Sequence, residues 1–64
     1  MKPMQFSLRE LRARKNETQE DISKVLGISL PTYREWEKKP EKITLGNARI
    51  LARHFNIQIN EMKI

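Results

Sequence analysis

The sequence predicts an all-α fold of five short helices, and three observations carry that prediction. Ser7, Thr18, Ser29 and Thr44 each stand before a segment whose apolar residues recur at three- and four-residue spacing. Asn16, Gly27 and Asn56 stand where three of those segments stop. Strand-like alternation is confined to Ile57-Gln58-Ile59, which is too short to pair alone.

Ser7-Leu8-Arg9-Glu10 fits a capping box, in which the Ser7 hydroxyl accepts from the Glu10 amide and the Glu10 carboxylate accepts from the Ser7 amide. Phe6 and Leu11 are spaced for a hydrophobic staple across that cap, and Leu8 and Leu11 face inward. Asn16 ends the first helix, because asparagine tolerates the left-handed conformation better than most residues. Thr18 caps the second helix, with Gln19, Glu20 and Asp21 in its first turn, where acids suit the helix dipole. Ile22, Val25 and Leu26 form its apolar stripe, and Gly27 stops it. Ser29 caps the third helix. Pro31 falls in its first turn, where the missing N–H has no intrahelical acceptor to lose. Tyr33 and Trp36, three apart, share the inward face, and Thr32, Arg34 and Glu35 lie away from it. Lys38-Lys39-Pro40-Glu41-Lys42 reads as a charged loop. Thr44 caps the fourth helix, with Leu45, Ala48, Leu51, Ala52 and Phe55 inward and Asn56 as the stop. Ile57, Ile59, Met62 and Ile64 form a short fifth helix.

The 64 residues make a single domain spanning 1–64. A chain of this size buries only about 60% of its unfolded surface, so its stability rests on close helix packing or on a partner chain. It has no cysteine, hence no disulfide and no thiolate metal site. Its one histidine, His54, is expected on an exposed polar face. No His/Cys cluster and no nucleophile–base set can be assembled, so neither metal, cofactor nor enzymatic activity is expected. No apolar run approaches the roughly 18 residues of a membrane span, and no signal peptide precedes the charged N-terminus. A cytoplasmic location away from membranes is the expectation. Lys and Arg number 13 against 8 Asp and Glu, a net charge of +5. That balance favours a polyanionic partner, either nucleic acid or an anionic surface.

The most informative stretch is residues 19–38, two short helices joined by a glycine turn, a helix-turn-helix pattern. Ser23 is small enough for the helices to cross closely. Gly27 supplies positive φ. Ile28 fills the space beneath the turn. With Tyr33 and Trp36 anchoring the second of these helices, its opposite face projects outward, ready for a groove about 12 Å wide.

Thr18-Gln19-Glu20-Asp21-Ile22-Ser23, Leu26-Gly27-Ile28-Ser29, Thr32-Tyr33 and Trp36-Glu37 resemble the lambda-repressor/Cro-like (XRE) family of helix-turn-helix regulators. The likeness extends through Leu8, Leu11 and Arg12 upstream, and through Leu45, Leu51-Ala52, Phe55-Asn56-Ile57 and Glu61-Met62 downstream. It implies a five-helix DNA-binding domain whose helix at 30–38 enters the major groove of double-stranded DNA. It further implies that Gln19 contacts phosphate and that Ser29, Leu30, Pro31 and Thr32 meet bases or backbone. Arg12 and Glu37 are implied as a structural pair. Leu30 and Pro31 stand where many members carry glutamine or serine. They pack on a thymine methyl or on sugar and make no bidentate contact to adenine. Hydrogen-bonded reading therefore shifts to Thr32, Arg34 and Glu35. An Arg34 fork fits guanine O6 and N7, and Glu35 either accepts from cytosine N4 or holds Arg34 or a lysine in place.

Each assignment has a plainer alternative. Tyr33 and Trp36 are stacking platforms for single-stranded nucleic acid or, more in keeping with their face, core anchors. Lys38, Lys39 and Lys42 contact phosphate or merely form a solvated loop. Arg49 and Arg53 keep the fourth helix soluble. Gly46 either admits a phosphate to backbone amides or is simply a weak helix position.

The expected function is that of a sequence-specific transcriptional regulator, a repressor of phage or mobile-element type acting on a pseudo-palindromic operator. The alternative is a protein-interaction module, such as an antitoxin or inhibitor, using the same fold. A third is the DNA-binding piece of a longer regulator. A weak homodimer is expected through Ile50, Ile59 and Ile64, while Ile57 and Met62 close the protomer's own core by family register.

Overall fold

The computed structural model of the chain describes residues 5–63. It contains four α-helices: α1 (Leu8–Lys15), α2 (Gln19–Leu26), α3 (Leu30–Lys38) and α4 (Leu45–His54). Two 3₁₀ turns, Pro40–Lys42 and Ile59–Glu61, follow α3 and α4 respectively. The fold is all-α, but the expected fifth helix is only the single 3₁₀ turn Ile59–Glu61. Its backbone is drawn away from helix by the N-terminal segment. Phe6 N–H donates to Glu61 O at 2.8 Å, and Lys63 N–H donates to Phe6 O at 2.8 Å. Phe6 and Met62 thereby form an isolated parallel bridge that ties the two ends of the chain together. The charged loop after α3 likewise contains the 3₁₀ turn Pro40–Lys42.

All four α-helices begin alike. Ser7, Thr18, Ser29 and Thr44 have extended backbones, and each side-chain oxygen accepts from the amide three residues on. Such caps are worth typically about 1 kcal/mol each. Ser7 and Glu10 form the full capping box, and Thr18 and Asp21 form a second. Both carboxyls are held below their ordinary range, chiefly by the backbone amide of the capping residue. Three helix ends also share one device. Asn16, Gly27 and Asn56 adopt positive φ of 56°, 68° and 56°. The next amide then reaches back five residues: Glu17 to Arg12 at 3.0 Å, Ile28 to Ser23 at 3.0 Å, and Ile57 to Ala52 at 2.9 Å. These are Schellman closures, which satisfy carbonyls that a helix end leaves free.

The core gathers Leu8 and Leu11 of α1, Ile22 and Leu26 of α2, Tyr33 and Trp36 of α3, Leu51 and Ala52 of α4, then Phe55 and Met62. Phe6, Ile28, Ile43, Ile57 and Ile59 pack around it, partly buried. Two expected core residues lie outside. Val25 is 40% exposed and Leu45 61% exposed. Val25 sits at the edge of the α2 stripe, where a narrow helix–helix seam no longer covers it. Leu45 is the first residue of α4, before the helix has turned its apolar face onto the core. His54 is a correction of the opposite kind, being only 21% exposed. Its Nε2 lies 2.8 and 2.9 Å from the two carboxylate oxygens of Glu17, so Nε2–H is the donor. Lys15 Nζ donates to the His54 carbonyl at 3.0 Å, fastening the C-terminus of α4 to the α1–α2 corner.

Candidate nucleic-acid interface

α2 and α3 pack directly on each other. Ser23 of α2 is buried, and its hydroxyl donates to the Glu20 carbonyl at 2.7 Å, so this small polar residue is buried without losing a hydrogen bond. Tyr33 is fully buried and Trp36 nearly so. Neither presents a ring face to solvent for stacking. Their burial turns the rest of α3 outward: Pro31, Thr32, Arg34, Glu35 and Lys38 are exposed, with Leu30 partly so. Ser29, Lys39 and Lys42 are exposed at the two ends of that face.

Beneath this face runs a polar chain. Arg12 Nε donates to Glu37 Oε2 at 2.5 Å and Arg12 Nη2 to Glu37 Oε1 at 3.2 Å, a two-pronged contact between α1 and the end of α3. The Arg12 and Glu37 side chains are 15% and 11% exposed. Arg12 Nη1 also donates to the Glu17 carbonyl at 3.1 Å. Gln19 Nε2 donates to Glu37 Oε1 at 3.0 Å, and Gln19 Oε1 accepts from Arg34 Nε at 3.3 Å. Burial pushes the Glu37 carboxyl up, but the hydrogen bonds from Arg12 and Gln19 outweigh it and hold Glu37 below its ordinary value. The guanidinium of Arg12 is stabilised in turn, first by its bond to Glu37. The Tyr33 hydroxyl lies beside this pair, fully buried and without a well-formed hydrogen bond among the described residues. Burial, then the Glu37 carboxylate, pushes its ionisation far above the ordinary range.

Several side chains are already engaged within the protein. Thr32 Oγ1 lies 2.8 Å from Ser29 Oγ, within the cap of α3. Glu35 accepts from Lys42 at 3.1 Å, which holds its carboxyl below the ordinary range and pins the loop back onto α3. Arg34 is exposed and spends only Nε on Gln19, so both terminal nitrogens keep their hydrogen-bond donors. Of the residues expected at a dimer contact, Ile50 is 42% exposed. Ile59 packs partly buried against the protomer's own core, which removes most of it from a partner's reach. Ile64 lies outside the described residues.

Sequence reasoning missed Arg9 and Lys63. Both line an open groove together with Gln19, Arg34, Glu37 and Lys38. No periodic or motif signal links residues so far apart in the chain. Among the described residues no group of His, Cys, Asp and Glu is arranged to hold a metal ion, and no helix is long and apolar enough to cross a membrane.

A helix-turn-helix family model matches residues 8–62, from the first residue of α1 to Met62. The chain belongs to the helix-turn-helix family. It is a DNA-binding transcription regulator of the lambda-repressor/Cro-like (XRE) type, with double-stranded DNA as its partner. No curated protein and no solved structure matches the chain.

Proposed function

We propose that this helix-turn-helix protein is a sequence-specific repressor of phage or mobile-element type. It reads the major groove with α3 and occupies a pseudo-palindromic operator in the cytoplasm as a weak homodimer. The observation that supports this reading is the division of α3: its aromatics are buried, while Pro31, Thr32, Arg34, Glu35 and Lys38 are exposed on one helix beyond the glycine turn. In this reading the two terminal nitrogens of Arg34 address guanine O6 and N7. Leu30 and Pro31 pack on thymine methyl or sugar, and Thr32 and Glu35 add polar contacts. Gln19, Ser29, Lys38, Lys39 and Lys42 hold the flanking phosphates. Two protomers place their α3 helices roughly 34 Å apart, matching half-sites about 10 base pairs apart.

Binding to random duplex across a salt series tests the DNA reading. Log affinity is expected to fall linearly with log salt, as counterion release requires. Selection of bound sites from a random duplex library should then return a two-fold symmetric sequence. Salt-insensitive or absent duplex binding, with stoichiometric capture of a protein partner, would turn the reading to an antitoxin or inhibitor.

A further inference from the structure

Four cationic side chains converge where no assigned role gathers them. Arg9 comes from the first turn of α1, Arg34 and Lys38 from α3, and Lys63 from the C-terminal segment, all lining one open groove. Lys63 is brought there by the fold. The bridge between Phe6 and Met62, with Lys63 N–H on Phe6 O at 2.8 Å, lays the end of the chain beside the residues that lead into α1. Gln5 Nε2 on Asn60 O at 3.4 Å adds to the same clasp.

The charge in this groove is uncompensated. Arg12, Lys15, Lys24 and Lys42 each have a carboxylate within 4.0 Å, whereas Arg9, Arg34, Lys38 and Lys63 have none among the described residues. The carboxylate lining the groove, Glu37, is already neutralised by Arg12. Glu10 is near enough for Lys63 to help lower its carboxyl, but its main partner is the Ser7 cap. Like charges gathered in a concave site raise the local potential and favour an anion. Arg14, Lys39, Arg49 and Arg53 are cations too, yet none of them lines this groove. The groove is also continuous with the face of α3, because Arg34 and Lys38 belong to both. Its occupant is therefore an extension of whatever lies against α3.

We infer that the groove between the start of α1, the end of α3 and Lys63 is a second backbone clamp. In it, Arg9 and Lys63 hold phosphates of the duplex strand next to the half-site that α3 reads. This rests on the DNA reading above and adds two contacts that come from outside the helix-turn-helix. The clasped ends of the chain thereby become part of the binding surface.

The test is a salt series on Arg9→Ala, Lys63→Ala and the double variant, against both a selected duplex and a random one. Both side chains are exposed, so the variants keep the fold. Lys38→Ala serves as a positive control, and Lys24→Ala removes an equal charge outside the groove. Each groove variant is expected to lower the log–log salt slope by about 0.9, and the double by about twice that, with equal weakening on both duplexes. Lys24→Ala is expected to keep the wild-type slope. If the double variant keeps the wild-type slope while Lys38→Ala loses a unit, the clamp is wrong and the DNA reading stands. Weakening on the selected duplex alone would overturn the phosphate assignment. A wild-type protein without salt-dependent duplex binding would overturn the clamp and the DNA reading together.

Discussion

Glu37 is the residue on which most of the interface rests, because it joins α1, α2 and α3 through Arg12 and Gln19. Its carboxyl is held below its ordinary value of 4.5 in the folded protein. A carboxyl lowered in this way stabilises the fold fully above that ordinary value, and the stabilisation is lost as pH falls through the native one. Glu10 and Asp21 shift in the same direction. The melting temperature is thus expected to fall on acidification below 4.5. Glu37→Gln should lower stability at neutral pH by about 3 kcal/mol, the low end for breaking a buried pair, since water still reaches both side chains. It should also flatten the acid limb. Thermal melts across a pH series check both, and an unchanged acid limb in the variant would assign the titration elsewhere. On the DNA side, Arg34→Ala is expected to cost about 1–3 kcal/mol on the selected site and relax one base position. Equal losses on selected and random duplex, measured by titration, would move Arg34 from bases to phosphates. The partnership of Arg12 and Glu37, 25 residues apart, carries no periodic signal and entered through the family pattern. The link from Gln19 to Arg34 was not legible at all, because it depends on how two helices pack.

At the level of elements, helix limits were legible because they are local. A cap is a contact between a residue and the one three positions later, and a Schellman closure needs a residue that tolerates positive φ. Both are written in consecutive letters, as at Ser7-Leu8-Arg9-Glu10 and at Asn16, Gly27 and Asn56. Edges of apolar stripes were not legible. Periodicity gives a face but not its width, so it places Val25 and Leu45 inside, whereas both are exposed. For α3, burial of Trp36 and Tyr33 is what orients the outward face. Trp36→Ala should cost about 3–5 kcal/mol, the range for deleting a large buried aromatic. That is comparable to the whole stability of a domain this small. Circular dichroism would show a melting transition shifted far down or lost. A variant that melts like the wild type would mean that Trp36 carries no packing and that the outward face of α3 must be redrawn.

Across the whole molecule, what escaped the sequence is what spans it. Phe6 meets Met62, and Glu17 meets His54 across 37 residues. Neither pair shares an element or a period. The fifth helix stops at one 3₁₀ turn for this reason: past Gln58 and Ile59 its backbone groups, Glu61 O and Lys63 N–H, bond to Phe6 instead of continuing a helical ladder. The same contacts narrow the proposed dimer surface. Ile57 and Ile59 are drawn onto the protomer's core, and Met62 is buried in it. Among the described residues of that proposed surface, Ile50, 42% exposed on α4, is left as the apolar contact for a second copy. An operator reader of this size needs that copy, since each base pair contributes only about 1–3 kcal/mol and one α3 reaches few of them. A contact centred on one isoleucine is small, so the free protein is expected to be mostly monomeric and to pair on DNA. Ile50→Glu places a charge at that contact without touching the core. It should fold with wild-type circular dichroism, bind a half-site as the wild type does, and lose the second protomer on a palindromic duplex. Sedimentation of each protein with that duplex measures the stoichiometry directly. Two protomers of Ile50→Glu still bound with undiminished cooperativity would mean that the two-fold contact, if made, lies away from α4.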